Sequence, residues 1–197
     1  MTTSLEHPVL QLAVLVGSLR AQSYSRKIAK ALAARAPDSV RCRFIEIGEL
    51  PLYNEDLETE TPPPAWSAFR SAVVECDAML FVTPEYNRSI PGCLKNALDV
   101  GSRPPGRSVF KGRPAGVVSV SPGKIGAFGS NQALRQTFVF LDMPVMQQPE
   151  AYIGNVAELL DENGAVKNGD TAAFLETFMD ALERWIERFA RTTSAPS

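Results

Sequence analysis

Val9 to Val16 (VLQLAVLV) is a nearly continuous apolar run that stops at Gly17. Continuous rather than alternating apolarity suits a strand covered on both faces, as in a parallel sheet. A strand buried on both sides commits the chain to helices above and below it, and the downstream pattern supplies them. Ser25 to Ala36 reads as a helix with Ile28, Ala29, Leu32 and Ala33 on one face, ended by Pro37. Val40 to Ile47 alternates and reads as a second strand nearer an edge. Leu50 to Pro64 is a loop with prolines at 51, 62, 63 and 64, followed by a helix over Ala65 to Glu75 and a third strand, Ala78 to Val82. A helix starting on proline spans Pro91 to Val100, and a polar loop runs from Ser102 to Pro114. A fourth strand covers Ala115 to Val120, a helix Gln132 to Leu141, and a short fifth strand lies near Val145 to Gln147. Thr171 to Arg191 is a long last helix whose apolar stripe is Phe174, Phe178, Leu182, Trp185 and Phe189. The terminal residues Thr192 to Ser197 are expected to fray.

Strands alternating with helices imply right-handed βαβ units and a parallel sheet with helices on both faces. Five strands favour the order 2-1-3-4-5, a three-layer α/β sandwich. With 197 residues, 45% of them hydrophobic, the chain has material for one well-buried core. Neither a repeat nor a linker interrupts it, so residues 1–197 read as one domain with its core over 9–191. In such sheets ligands sit beyond the carboxyl ends of the strands, at the switch point beside strand 1; flavodoxin with its FMN is the standard example of the rule. The segments after strands 1, 3 and 4 should therefore carry the unusual chemistry.

Bulk properties remove several function classes. A formal charge of -2, from 20 basic and 22 acidic residues, gives no field for nucleic acid or an anionic membrane. No run reaches the length of a membrane helix, and Met1 to Pro8 lacks the positive start of a secretory signal. Cys42, Cys76 and Cys93 are odd in number and far apart, which speaks against a disulfide framework or a thiolate zinc site. The one histidine, His7, reads as a solvated terminal residue, so no histidine triad or metal cluster is expected. The chain reads as cytoplasmic.

The loop after strand 1, Gly17-Ser18-Leu19-Arg20-Ala21-Gln22-Ser23-Tyr24-Ser25, lacks the glycines of GxGxxG and of a P-loop. It offers hydroxyls and one arginine ahead of a helix N-terminus, a set better suited to one terminal phosphate than to a diphosphate. Ser23 or Ser25 equally suits a helix cap, which leaves Ser18 and Arg20 unexplained. After strand 3, Thr83-Pro84-Glu85-Tyr86-Asn87-Arg88-Ser89-Ile90-Pro91-Gly92 brackets a polar turn between two prolines. Such a turn holds backbone donors and acceptors against a flat ring, or is simply a capped turn with a solvated Glu85. After strand 4, Ser119 to Gly129 combines two serines and three glycines, which permits close approach to a ring edge. Its Gly123-Lys124 lacks the Ser or Thr of a P-loop, since Ile125 follows. Each loop taken alone has an ordinary structural explanation; their common position beyond strands 1, 3 and 4 points to a ligand site.

The same loops resemble the NADPH-dependent FMN reductase family, flavodoxin-like enzymes that include quinone, chromate and azo-dye reductases. Gly17 to Ser25 is similar to the family pattern GSLRxxSxN. Thr83 to Asp99 (TPEYNRSIPGCLKNALD) is similar to its longer signature, and Gly123 to Pro149 looks like its third region. The resemblance covers roughly Leu10 to Ile153. It implies FMN held by the run Ser18, Leu19, Arg20, Ala21, Gln22, Ser23, Tyr24 and Ser25, with Ser18, Arg20, Ser23 and Ser25 on the phosphate. Pro84, Glu85, Tyr86, Asn87 and Arg88 would border the isoalloxazine, Glu85 to Asn87 largely through backbone groups, and Ser121 and Gly123 would line its other side. Ser25 stands where asparagine is usual, Arg88 where close relatives often have an aromatic residue, and Val100 where tryptophan is common. The last two bear on acceptor preference.

The implied activity is transfer of electrons from NADPH or NADH through FMN to a small acceptor such as a quinone, an azo compound, a metal oxyanion or free flavin, in ping-pong order. No protein base is needed for hydride transfer to a flavin. Arg88, Arg103, Arg107, Lys111 and Arg113 are candidate partners for the nucleotide phosphates, and the Pro91 and Gln132 helices for a homodimer or homotetramer contact. The rivals are a flavodoxin-type electron carrier, against which the missing TGxT loop and acidic surface argue, and a flavin-binding regulatory protein.

Overall fold

The computed structural model describes residues 9–167 and 169–190; His7 and Thr192 to Ser197, expected to be solvated and frayed, lie outside them. Five parallel strands, β1 (Leu10–Val16), β2 (Val40–Phe44), β3 (Ala78–Thr83), β4 (Ala115–Val120) and β5 (Ala151–Ile153), form one sheet in the order β2-β1-β3-β4-β5. Helices α1 (Tyr24–Ala33), α2 (Pro64–Val74), α3 (Gly92–Gly101), α4 (Phe128–Phe140), α5 (Val156–Leu159) and α6 (Gly169–Ala190) cover it. The predicted three-layer, flavodoxin-like arrangement is the observed one.

The apolar runs are continuous because each strand feeds two cores at once. Successive side chains of a strand point to opposite faces. Leu12, Val14, Leu80, Val82, Val118 and Val120 meet α1 and α6 on one face. Ala13, Leu15, Met79, Phe81, Ala115 and Val117 meet α2, α3 and α4 on the other. Each face removes several large side chains completely from water, including Ile28 and Phe178 on the first and Trp66 and Phe138 on the second. A fully buried side chain of this size is worth about 1.5–3 kcal/mol, so both faces are needed to hold the sheet. Gly116, the second residue of β4, leaves room for α6: a Cβ there would stand 3.1 Å from Leu182 and 3.3 Å from Phe178.

Four expectations need correction. The fifth strand is Ala151–Ile153, not Val145 to Gln147. Val145 makes only one isolated bridge to Ala115, closed by Ala115 N to Pro144 O and Met146 N to Ala115 O, and the chain then leaves the ladder until Ala151. Helix α4 begins at Phe128, four residues before Gln132, for a reason that lies in the site. Pro91 is the cap residue of α3 rather than its first helical residue. On α6 the residues that reach the core are Leu175, Phe178, Met179, Leu182 and Ile186, whereas Phe174 and Trp185 pack at its margin. The aromatic stripe was displaced from the true core stripe by about one position on the helix face. Within the Leu50 to Pro64 loop, Glu55–Leu57 forms a turn of 3-10 helix. Among the described residues no helix is long and apolar enough to cross a membrane.

Candidate functional site

Parallel strands place all of their carboxyl ends at one edge of the sheet, so the segments after β1, β3 and β4 emerge side by side. Gly17 marks how tightly the first two meet. A Cβ on Gly17 would lie 2.9 Å from Thr83 Oγ1, 3.0 Å from Leu94 and 3.3 Å from Pro84, so only glycine leaves room for the turn after β3. Cys93 Sγ donates to the Gly17 carbonyl at 3.6 Å. Burial raises the Cys93 and Cys76 thiols and pushes Cys42 up to about 11, so none of the three is a thiolate nucleophile at neutral pH.

In the first loop Ser18, Ser23 and Ser25 are buried, while Leu19, Arg20, Ala21 and Gln22 are exposed. Ser23 is the N-cap of α1, its Oγ accepting from Arg26 N at 3.1 Å. Capping uses one acceptor lone pair and leaves the hydroxyl proton. The first-turn amides of any helix have no intrahelical partner, and the helix dipole makes that end favourable for an anion. Residues 17–25 carry no acidic side chain. The donor set of three hydroxyls, first-turn amides and one guanidinium fits the phosphate end of FMN. An open groove of about 540 Å³ continues from Ala21, Gln22 and Ser23 along α1, past Lys27 and Lys30. Arg26 closes its flank with a bidentate pair to Glu46 at 2.8 and 2.6 Å, which raises the arginine and lowers the carboxylate.

The second loop is a tight turn. Tyr86 N donates to Ser89 O at 3.2 Å and Ser89 N to Tyr86 O at 2.9 Å, with Asn87 and Arg88 at φ 50° and 63°. Positive φ at both central residues is the type I′ geometry that Asn adopts readily and arginine does not. Glu85 does not face solvent as an ordinary turn carboxylate would. Its side chain is 14% exposed, and Oε2 accepts from Ser130 N at 3.2 Å, in the first turn of α4. Ala127, at φ 60°, offers α4 no side-chain cap of its own. A carboxylate from another loop therefore caps α4, which lets the helix start at Phe128. Gly129 makes the approach possible: a Cβ there would sit 2.8 Å from Arg88 O and 2.9 Å from Glu85 Oε2. Below this contact Thr83 and Ser130, both fully buried, share a hydroxyl contact of 3.2 Å.

The third loop is folded back on the chain. Ser121 Oγ accepts from Gly123 N at 3.0 Å. Asn155 N donates to Gly123 O and Val156 N to Ser121 O. Gly126, at φ 63°, lies where a Cβ would be 2.6 Å from the Tyr152 carbonyl carbon, and Gly154 where one would be 2.5 Å from Lys124 O. Two of the glycine demands here thus come from the 152–155 segment. Gly123 is different: it is exposed and a Cβ would meet only Ser121 Oγ, at 3.5 Å. Ser119, read as part of this loop, is fully buried and bonded to Gly126 O at 2.6 Å, with Asn131 Nδ2 donating to it.

The family model described as NADPH-dependent FMN reductase matches residues 10–158. The chain belongs to the NADPH-dependent FMN reductase family. It is an oxidoreductase of the kind that works with FMN and NAD(P)H. A quinone reductase of Pseudomonas putida is 58% identical over 91% of this chain and 96% of its own length. A 2-hydroxy-1,4-benzoquinone reductase of a Burkholderia species is 44% identical over 90% of this chain and 96% of its own. Among solved structures, the flavoenzyme NAD(P)H:(acceptor) oxidoreductase FerB from Paracoccus denitrificans superposes with a TM-score of 0.86 at 40% identity, covering 92% of this chain and 99% of FerB.

The candidates from the three loops all lie at the carboxyl end of the sheet. Of the cations proposed for the nucleotide, Arg103, Arg107, Lys111 and Arg113 do not. The segment from Ser102 to Pro114 joins the end of α3 to the start of β4 and so lies towards the amino end. Arg113 is held there, donating to Val109 O at 2.7 Å, to Val74 O at 3.1 Å and to Cys76 O. Of the five arginines and lysines, Arg88 alone stands with the site. Ser130 and Gly129 were missed; the one available signal was the glycine pair at 126 and 129, which marks close approach without saying by what. The KNALD part of the motif is structural in one respect: Asn96 takes Tyr53 N at 2.8 Å and donates to Leu50 O and Pro51 O, pinning the loop beyond β2.

Proposed function

We propose that this chain is a single FMN-binding domain that reduces small quinones with NAD(P)H in ping-pong order, as a cytoplasmic homodimer or homotetramer. The observation that carries the reading is the convergence of three loops of different chemistry on one edge of the sheet. The loop Ser18 to Ser25 takes the FMN phosphate through Ser18, Arg20, Ser23, Ser25 and the first-turn amides of α1, with Leu19, Ala21, Gln22 and Tyr24 forming its wall. Pro84, Glu85, Tyr86 and Asn87 border one side of the ring and Ser121 and Gly123 the other. Bound FMN supplies the chemistry, accepting hydride from the nicotinamide and returning two electrons to the acceptor. The residues of the chain serve to position, and hydride transfer to a flavin needs no protein base, so Glu85, engaged with α4, is a positioning residue. The names of the relatives at 58% and 44% identity favour a quinone as acceptor. The exposed Phe128, Val139 and Phe140 make α4 a fitting subunit surface.

The purified FMN-loaded protein, mixed anaerobically with NADPH, should lose its yellow colour without any partner reductase. A flavin that stays oxidised would leave the electron-carrier reading standing. Steady-state lines with varied NADPH and quinone should be parallel; intersecting lines would sink the ping-pong order. S18A combined with R20A should weaken FMN binding by about tenfold or more, since two donors to a dianion are removed.

A further inference from the structure

Arg88 is held in place by everything around it except its own side chain. The turn is closed by the reciprocal Tyr86–Ser89 bonds, and its Arg88 carbonyl is seated against Gly129. The backbone there is left-handed, φ 63°, a conformation that costs about 1–2 kcal/mol for a side chain of this kind. The side chain is 77% exposed and its one ion pair, to Glu85 Oε1, is long at 3.4 Å. The pair engages one guanidinium nitrogen with one carboxylate oxygen, the other oxygen serving the α4 N-terminus, so the remaining donors of Arg88 stay open to solvent. Within the three site loops themselves there is no other acid; the nearest others stand on the loop after β2, where Glu46 is paired with Arg26. Residues 17–23, 84–91 and 121–127 carry Arg20, Arg88 and Lys124 against Glu85 alone. Arg20 and Lys124 are both exposed. The result is an outward-facing cation fixed at the apex of the turn that borders the ring.

We infer that Arg88 selects anionic electron acceptors, quinones that carry an ionised hydroxyl or a sulfonate. The inference rests on the flavin-site reading given above. A guanidinium beside the ring meets whatever group stands over the ring; the phosphates of a dinucleotide lie a ribose farther out. It also presents planar paired donors, which suit an enolate flanked by a quinone carbonyl better than a lysine ammonium does.

The test compares R88Q and R88K with the wild-type holoenzyme on two probes, 2-hydroxy-1,4-naphthoquinone, ionised at neutral pH, and the neutral 2-methyl-1,4-naphthoquinone. The ratio of kcat/KM for the anionic over the neutral quinone should fall about fivefold in R88Q, the factor an exposed charge pair is worth, through KM rather than kcat. R88K should restore part of it. Raising the salt should erode the ratio in the wild type and not in R88Q. Flavin reduction by NADPH and by NADH, followed by stopped flow, should keep its preference in R88Q. An unchanged quinone ratio, or a loss confined to the preference for NADPH over NADH, would overturn the proposal, the second by assigning the cation to the donor. A wild type that turns over neither quinone would instead overturn the flavin-site reading and this inference with it.

Discussion

The turn after β3 and the loop after β4 were expected to flank the same ring, yet they are built on opposite principles. The turn after β3 is closed locally by the Tyr86–Ser89 backbone bonds but tied to the rest of the site by a side chain: Glu85 reaches across to Ser130 N and in doing so caps α4. The loop after β4 is held by backbone, Gly123 O and Ser121 O taking amides of Asn155 and Val156, with Gly126 and Gly154 providing the space. A loop fixed by a side chain is sensitive to a single truncation and leaves its apex open. A loop fixed by backbone yields only when a Cβ is forced into it, and its own hydroxyl, Ser121 Oγ, is drawn inward to Gly123 N. The first arrangement suits the edge that meets varied acceptors, the second a fixed wall.

The largest expected effect is on the backbone-built loop. G126A places a methyl 2.6 Å from the Tyr152 carbonyl carbon at a positive φ, and should cost about 3 kcal/mol in urea unfolding. A loss under about 1 kcal/mol would show that this loop can move and would break the contrast. Next comes the side-chain clamp. E85A should cost about 1 kcal/mol, the usual value of a lost helix cap, and raise hydrogen exchange in the first turn of α4. S121A, by comparison, removes a local turn bond only and should change stability by about 0.5 kcal/mol or less. R88N should act in the opposite direction, gaining about 0.5 kcal/mol because asparagine tolerates the left-handed region, while lowering the preference for an anionic quinone. Stability and acceptor choice would then be opposed at one residue.

The smallest effect concerns a pair outside both loops. Glu46 is lowered by its bond to Arg26, so its folded value lies below the unfolded one. The stabilisation is complete above the unfolded value and is lost as the pH falls through the folded one. The carboxylate is 65% exposed, so solvent screening limits the effect to about 0.5 kcal/mol, and E46Q should flatten only the acid limb of a stability profile.

Much of this was legible in the chain itself. The run Val9 to Val16, apolar without alternation, required helices on both faces, and the five-strand order followed from the alternation of strands and helices. The three loops were located by the same logic, since their position depends only on strand direction. The glycines between Ser119 and Gly129 announced close approach, whereas the tight packing at Gly17 and the left-handed backbone at Asn87 had no such reading. What approached them was not legible. The expected fifth strand at Val145 to Gln147 differs from the observed one because Val145 and Met146 do pair with Ala115, but as a single bridge, and only the ladder shows that the strand itself resumes at Ala151. The start of α4 was misplaced because its cap is 45 residues away in Glu85. Local sequence determines which backbone conformations are allowed and which faces are apolar. Partners brought together from distant loops depend on how the layers pack, and that the tertiary structure alone decided, down to giving Glu85, expected either beside the ring or in solvent, the cap of a helix.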